Sequence, residues 1–247
     1  VADAVGQPVV SIGSLALRPI SAEQLQAVQT RRYDSLFQLD WQPVAAPASA
    51  AAGGLWAVVG PDAGLGEAVV RAGGSYARYA DLAALISALD EGEAVPGTVV
   101  LSCPTSGGGD GVVAGVRESL STVLSLVQRW LGEERLAASH LVVTTCGAVA
   151  TEAEEDTAGL VQAPVWGLLR SVQTENPDRF LLLDHDADSE IKAVAADAVV
   201  RVLAAGEESQ LAVRGEMVLV PRLSRVAEPA GAPEGAARLV SGGTVLV

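Results

Sequence analysis

The sequence predicts an α/β fold: a doubly wound, mostly parallel sheet with helices on both faces. Three observations predict it. Short continuous apolar runs at Leu55–Gly60, Thr98–Ser102, His140–Thr145 and Phe180–Asp184 have the look of strands buried on both sides. Segments of helical period separate them. The 247 residues are 49% hydrophobic, enough apolar matter for a sizeable core and too much for a disordered chain.

The elements follow in order. Residues 1–20 read as a hairpin fragment, with a Gly6-Gln7-Pro8 turn, Val9–Ile12, Leu15–Leu17 and a closing Pro19. Two short strands cannot fold alone, so this piece belongs to a domain mostly outside the chain or packs on the next one. Residues 21–33, opening on Ser21, read as a short polar helix or linker. Phe37 to Val44 alternates apolar and polar residues as an edge strand does, and Pro43 with the Ala/Pro/Ser stretch after it ends the strand. Leu55–Gly60 is a buried strand, Gly64–Ala72 a helix, Ser75–Tyr79 a strand, and Asp81–Leu89 a helix capped by Asp81.

After the Thr98–Ser102 strand comes the loop Gly107–Gly111. A helix over 112–136 carries Val116, Leu120, Val123, Leu124, Val127, Trp130 and Leu131 on one apolar face. The His140–Thr145 strand precedes a helix over 157–175, with Pro164 near its first turn. Phe180–Asp184 is a strand and Ser189–Ala205 a helix. Gln210–Val213 and Glu216–Val220 pair as a hairpin around Arg214-Gly215. Residues 226–242 are a Pro/Ala/Gly-rich linker, and Gly243–Val247 is one last strand. Strands alternating with helices make the domain Rossmann-like.

Thirty acidic against 16 basic residues give a formal net charge of −14. That charge argues against a phosphate-backbone binder and against an anionic membrane surface as partner. No uninterrupted apolar stretch reaches the roughly 18 residues of a membrane span, and the first residues lack the pattern of a signal peptide. The expected compartment is the cytoplasm, with Cys103 and Cys146 as buried free thiols and a disulfide between them as the alternative. The absent initiator Met points to a segment of a longer polypeptide.

A doubly wound sheet invites a dinucleotide at the turn after its first buried strand. Here that turn is Gly60-Pro61-Asp62-Ala63-Gly64-Leu65-Gly66, which is not G-x-G-x-x-G, and Asp62 puts a carboxylate where phosphates would sit. Some twenty residues on, Arg78 and Asp81 give an ambiguous specificity marker. The Gly107–Gly111 loop has no Lys-Ser/Thr and is no P-loop; it reads as a flexible connection, or else as the lining of a crevice.

Reductases of the short-chain type need a Tyr proton donor with a Lys four positions later. None of Tyr33, Tyr76 or Tyr79 has one. The sole lysine, Lys192, falls on an expected helix with Asp188 one turn before it and reads as an exposed charge. His140 opens a strand. His185, between Asp184 and Asp186, reads as a solvated loop residue. The acidic run Glu152, Glu154, Glu155 and Asp156 reads as a solvated helix approach, with a cation site as the alternative. Trp166 reads as a packing anchor. No catalytic, cofactor-binding or metal-ligating set is complete.

Four stretches carry a resemblance. Arg32–Trp41 resembles the opening strand of ketoreductase domains in modular type I polyketide synthases. Leu141–Val149 is similar to that family's VVT-x-x-GAV strand. Ala163–Phe180 is similar to its A-x-VWGL-x-RS-x-x-x-E-x-P-x-R segment, and Met217–Leu223 to its closing strand. Together they cover about residues 30–226.

The resemblance implies a ketoreductase of two Rossmann-like halves. This chain resembles the first, a truncated structural subdomain that binds no cofactor and braces the second. The second half holds NADPH and the Ser, Tyr and Lys, so none of the family's catalytic residues has a matching position here. On this reading 1–25 is a dehydratase tail and linker. Residues 26–226 are the ketoreductase structural subdomain, and 227–247 are a linker with the first strand of the catalytic subdomain. The implied partners are that catalytic half and the neighbouring dehydratase and acyl carrier protein domains of one multienzyme, which reduces a β-ketoacyl group. Two rival readings stay open: an independent NAD(P)-dependent oxidoreductase and a module that docks carrier protein or a neighbouring domain.

Overall fold

The computed structural model describes Val5, Gln7 and residues 36–47, 50–103, 111–186 and 190–226. The expected dehydratase tail, the polar segment 21–33, the glycine loop up to Asp110 and the segment 227–247 lie outside the described residues. Two compact units divide the chain. In the smaller, Val1–Gln38 with Leu223–Val247, the Val226 amide donates to the Leu36 carbonyl at 3.0 Å, and the Arg225 guanidinium lies 5.4 Å from the Phe37 ring centre.

The larger unit, Leu39–Arg222, carries the α/β architecture. The elements among the described residues are β1 (Phe37–Pro43), β2 (Leu55–Val59), α1 (Leu65–Arg71), β3 (Ser75–Tyr79), α2 (Leu82–Asp90), β4 (Thr98–Ser102) and α3 (Val112–Gly132). A short 3-10 turn (Glu134–Leu136) leads to β5 (His140–Cys146), α4 (Ala163–Glu175), β6 (Phe180–His185), α5 (Ala193–Ala205), β7 (Gln210–Arg214) and β8 (Met217–Arg225). The strand order is β1-β8-β7-β6-β5-β4-β2-β3. Strands β2 to β7 pair in parallel, and β7 turns back on β8 as an antiparallel hairpin.

The order bears out a truncated Rossmann-like sheet. A full dinucleotide-binding sheet has two strands outside its first βα strand. Here only β3 lies beyond β2, and the chain reverses between β2 and β4. Alternation along each strand feeds two cores. Val99, Leu101, Leu141, Val143, Phe180 and Leu182 face α2, α3 and α4, while Val100, Val142, Leu181 and Leu183 face α1 and α5. Each such Val, Leu or Phe contributes about 1.5–3 kcal/mol by leaving water.

Several expectations are corrected here. The helix expected over 157–175 begins at Ala163. Residues 158–162 are spent on turns, with the Gln162 and Ala163 amides donating to the Gly159 carbonyl, and Pro164 sits in the first turn of the helix, where its missing N–H breaks no intrahelical bond. The helix expected from Ser189 begins at Ala193. The Ile191 amide donates to the Ala63 carbonyl, which ties this segment to the turn after β2, and Lys192 is the extended N-cap rather than a helical residue. Lys192 pairs with Glu216 at 3.5 Å.

The apolar face of α3 is also split. Val123, Val127 and Trp130 enter the core, whereas Leu124 and Leu131 are 43% and 40% exposed. One helix cannot turn a stripe of that width toward a single layer. The cap on α2 is as expected: the Asp81 carboxylate accepts from the Ala84 amide at 2.8 Å.

Candidate functional site at the carboxyl edge of the sheet

Doubly wound sheets bind ligands outside the carboxyl ends of their strands, where the strand order reverses. In this chain that place lies at the ends of β2 and β4. A cavity of about 580 Å³ opens there, lined by Val59, Leu101, Leu126, Thr144, Gln162 and His185 among others.

The turn between β2 and α1 is closed by its own side chains. The Asp62 carboxylate accepts from the Gly64 amide at 3.0 Å and the Gly66 amide at 3.2 Å. Those are the N–H groups a bound phosphate would take. Gly66 marks a close approach of a different kind: a Cβ there would lie 2.4 Å from the Tyr76 ring and 2.8 Å from Asp62 Oδ2. Arg78 lies 3.8 Å from the same carboxylate. Asp62 and Tyr76 fill the space, so the turn does not fit a pyrophosphate.

The hydroxyls at the strand ends are turned inward. Ser102 Oγ donates to the Pro61 carbonyl at 2.9 Å and lies 3.2 Å from Thr144 Oγ1. Gln162 is buried and bridges two strand ends. Its Oε1 accepts from the Cys146 amide at 2.9 Å, and its Nε2 donates to the Cys103 carbonyl at 3.0 Å.

Deeper in, β5 and β6 present Thr145 and Asp184 as register partners. Asp184 is wholly buried and collects three donors: Thr145 Oγ1 at 2.6 Å, the Ala148 amide at 2.8 Å and Arg214 Nη2 at 2.8 Å. Arg214 also binds Glu155 through Nε at 2.5 Å. Burial works against the Glu155 charge, but hydrogen bonds from the Thr151 amide and hydroxyl and from Arg214 outweigh it and hold this carboxyl below its ordinary range. Trp166 Nε1 donates to Thr145 Oγ1 at 2.8 Å, and the Trp41 ring meets the Trp166 ring edge-on at 6.0 Å.

These contacts correct three further expectations. Glu155 is no solvated approach to a helix; it fastens the loop after β5 to the end of β7. His185 is the last residue of β6, not a loop residue, with Nδ1 3.1 Å from the Asp186 carbonyl and 4.0 Å from Cys146 Sγ. Of the two thiols Cys103 is buried, and burial pushes it up to about 12, but Cys146 is only half-buried; neither is in a disulfide. Trp166 is the expected packing anchor, at 2% exposed.

Comparison with known proteins decides the family. Residues 39–223 match the Rossmann fold domain of the polyketide synthase extender module SpnB. The chain belongs to this polyketide synthase domain family. It is 42% identical over 230 residues to polyketide synthase GfsE of Streptomyces halstedii, covering 92% of this chain and 6% of that protein. It is 39% identical over 255 residues to the pikromycin polyketide synthase component PikAII of Streptomyces venezuelae, covering 94% of this chain and 7% of that protein. The chain therefore spans a small part of the length of these relatives.

Solved structures agree. A C2-type ketoreductase from a modular polyketide synthase superimposes with a TM-score of 0.65 at 27% identity, over 80% of this chain and 45% of that one. An A-type ketoreductase from a modular polyketide synthase gives 0.57 at 29% identity, over 80% and 44%. No helix among the described residues of this polyketide synthase domain is long and apolar enough to cross a membrane.

The Asp184–Arg214–Glu155 network and the Gln162 bridge of the polyketide synthase domain are not among the sites expected from the sequence. A signal for the first was present: Asp184 closes the apolar run Phe180–Leu183 inside an expected strand, where a carboxylate must find a cation or several donors. For Gln162 there was none, because its partners are backbone groups.

Proposed function

We propose that this chain is the structural, non-catalytic subdomain of a modular polyketide synthase ketoreductase. It braces a catalytic half that reduces the β-keto group of an acyl-carrier-protein-bound chain with NADPH. The observation that carries the reading is the turn after β2, where Asp62 takes the helix amides and Tyr76 packs over Gly66. A fold that kept a cofactor would leave those donors to the cofactor.

Two further facts support it. The chain aligns with less than half of each of the two ketoreductases described above. Helix α3 turns Leu124, Leu131 and Val113 outward, an apolar stripe of the kind that a neighbouring domain covers. The catalytic half is the natural occupant under this reading, with the dehydratase and carrier domains elsewhere on the same polypeptide.

The test mixes the chain with NADPH and a β-ketoacyl thioester. Neither turnover nor tight NADPH binding is expected from the chain alone. Reductase activity is expected when the catalytic half is supplied on the same polypeptide. Turnover or tight cofactor binding by the chain alone overturns the proposal.

A further inference from the structure

We propose that the cavity at the carboxyl ends of β2, β4 and β5 is a binding site for an uncharged, mainly aliphatic small molecule that carries hydroxyl or carbonyl oxygens. The inference does not rest on the bracing role; a structural subdomain with or without this site would brace equally well.

Size comes first. About 580 Å³ lies inside the range of roughly 300–1,000 Å³ typical of small-molecule pockets. Position comes next, since the cavity sits at the reversal of strand order, where open α/β sheets place ligands.

Charge then selects the class. Among the described lining residues there is no Lys or Arg, and the one carboxylate, Asp81, is held by the α2 amide of Ala84. Asp62 holds the neighbouring turn against anions. Phosphates, carboxylates and coenzyme-A-like tails therefore find no ammonium or guanidinium partner among the described walls, on a protein of formal net charge −14. A metal cation finds no cluster of three ligating side chains among the described residues. An uncharged ligand loses nothing here.

The walls match such a ligand. Val59, Leu82, Leu101 and Leu126 supply apolar surface, and Thr122 and Thr144 are the threonines that line the same space. Ser102 Oγ is engaged with Pro61 and lies against Thr144 Oγ1, which fixes that pair in place. The arrangement of few fixed polar groups on apolar walls gives orientation without charge.

The test titrates the 247-residue chain with two dyes of one skeleton, neutral N-phenylnaphthylamine and its sulfonated analogue anilinonaphthalene sulfonate. Saturable one-to-one binding of the neutral dye is expected, at least about tenfold tighter than that of the sulfonate. Leu126→Trp and Thr122→Phe, which fill the cavity from α3, should each weaken the neutral dye by about tenfold or more. Each variant is compared only where its melting temperature matches that of the parent chain. Independently of any variant, the neutral dye should raise the melting temperature of the unsubstituted chain and the sulfonate should not. Absence of saturable neutral-dye binding, equal affinity for the sulfonate, or full affinity in a folded cavity-filled variant overturns the proposal.

Discussion

Arg214, at the end of β7, donates through Nη2 to Oδ2 of Asp184, at 2.8 Å, and the carboxylate it meets is wholly buried on β6. The same guanidinium reaches Glu155 in the loop after β5, so one side chain joins three consecutive segments of the carboxyl edge. A buried charge is tolerated only while its partners are in place.

Removing Asp184 should therefore be costly. Asp184→Ala leaves the Arg214 guanidinium short of its buried partner and strands Thr145 and the Ala148 amide. The expected loss is about 3–5 kcal/mol, read from urea unfolding. A loss below about 1 kcal/mol would show that the network contributes little net stability.

Acid should weaken the same network through Glu155. Its carboxyl is held below the ordinary value of 4.5, so the unfolded chain takes up the proton first as pH falls. The contribution is fully present above that ordinary value and is lost as pH falls through the lower folded-state value. Urea midpoints between about pH 5 and pH 3 should drop more steeply for the parent chain than for Glu155→Gln, which has no such proton to gain.

Gly159 admits no side chain. A Cβ there would lie 2.1 Å from the Cys146 carbonyl oxygen and 2.8 Å from the Gly147 carbonyl carbon, both backbone atoms. Gly159→Ala should cost on the order of 3 kcal/mol and lower the melting temperature. An unchanged melting temperature would contradict the close packing of this loop on the end of β5.

Asp62 should behave as a cap and not as a cofactor ligand. Asp62→Ala frees the Gly64 and Gly66 amides and should cost about 1 kcal/mol of stability in chemical unfolding. It should not create NADPH binding, because Tyr76 still covers Gly66. Calorimetric titration with NADPH reads the second part.

The two cysteines should separate on alkylation. Cys103 is buried and its thiol is pushed up to about 12, whereas Cys146 is half-buried. Iodoacetamide at about pH 8 should label Cys146 well before Cys103, with peptide mass spectrometry as the readout. Labelling of Cys103 first would overturn this assignment.

Most of the framework was legible because buried parallel strands have a strong signature. Thr98–Ser102 and Phe180–Leu183 appear where the apolar runs and their flanking turns place them. Helix starts were less legible. Ala163 and Ala193 are set by the Gly159 carbonyl and by Ile191 bonding to Ala63, and neither contact is written into local periodicity. Leu124 and Leu131 show the same limit. Periodicity marks an apolar stripe, but how much of it a sheet covers depends on where the helix packs.

By itself the sequence determined the alternating α/β order, the capping of α2 by Asp81 and the spoiling of the phosphate turn by Asp62, since each depends on residues close in the chain. Only the tertiary structure decided that Tyr76 closes over Gly66, that Gln162 bridges Cys146 and Cys103, and that Arg214 joins Asp184 to Glu155. Those pairs lie ten to sixty positions apart. The physical reason is that a backbone pattern sets which face a residue occupies, whereas the partner of a buried polar group is chosen by which strands the sheet brings side by side.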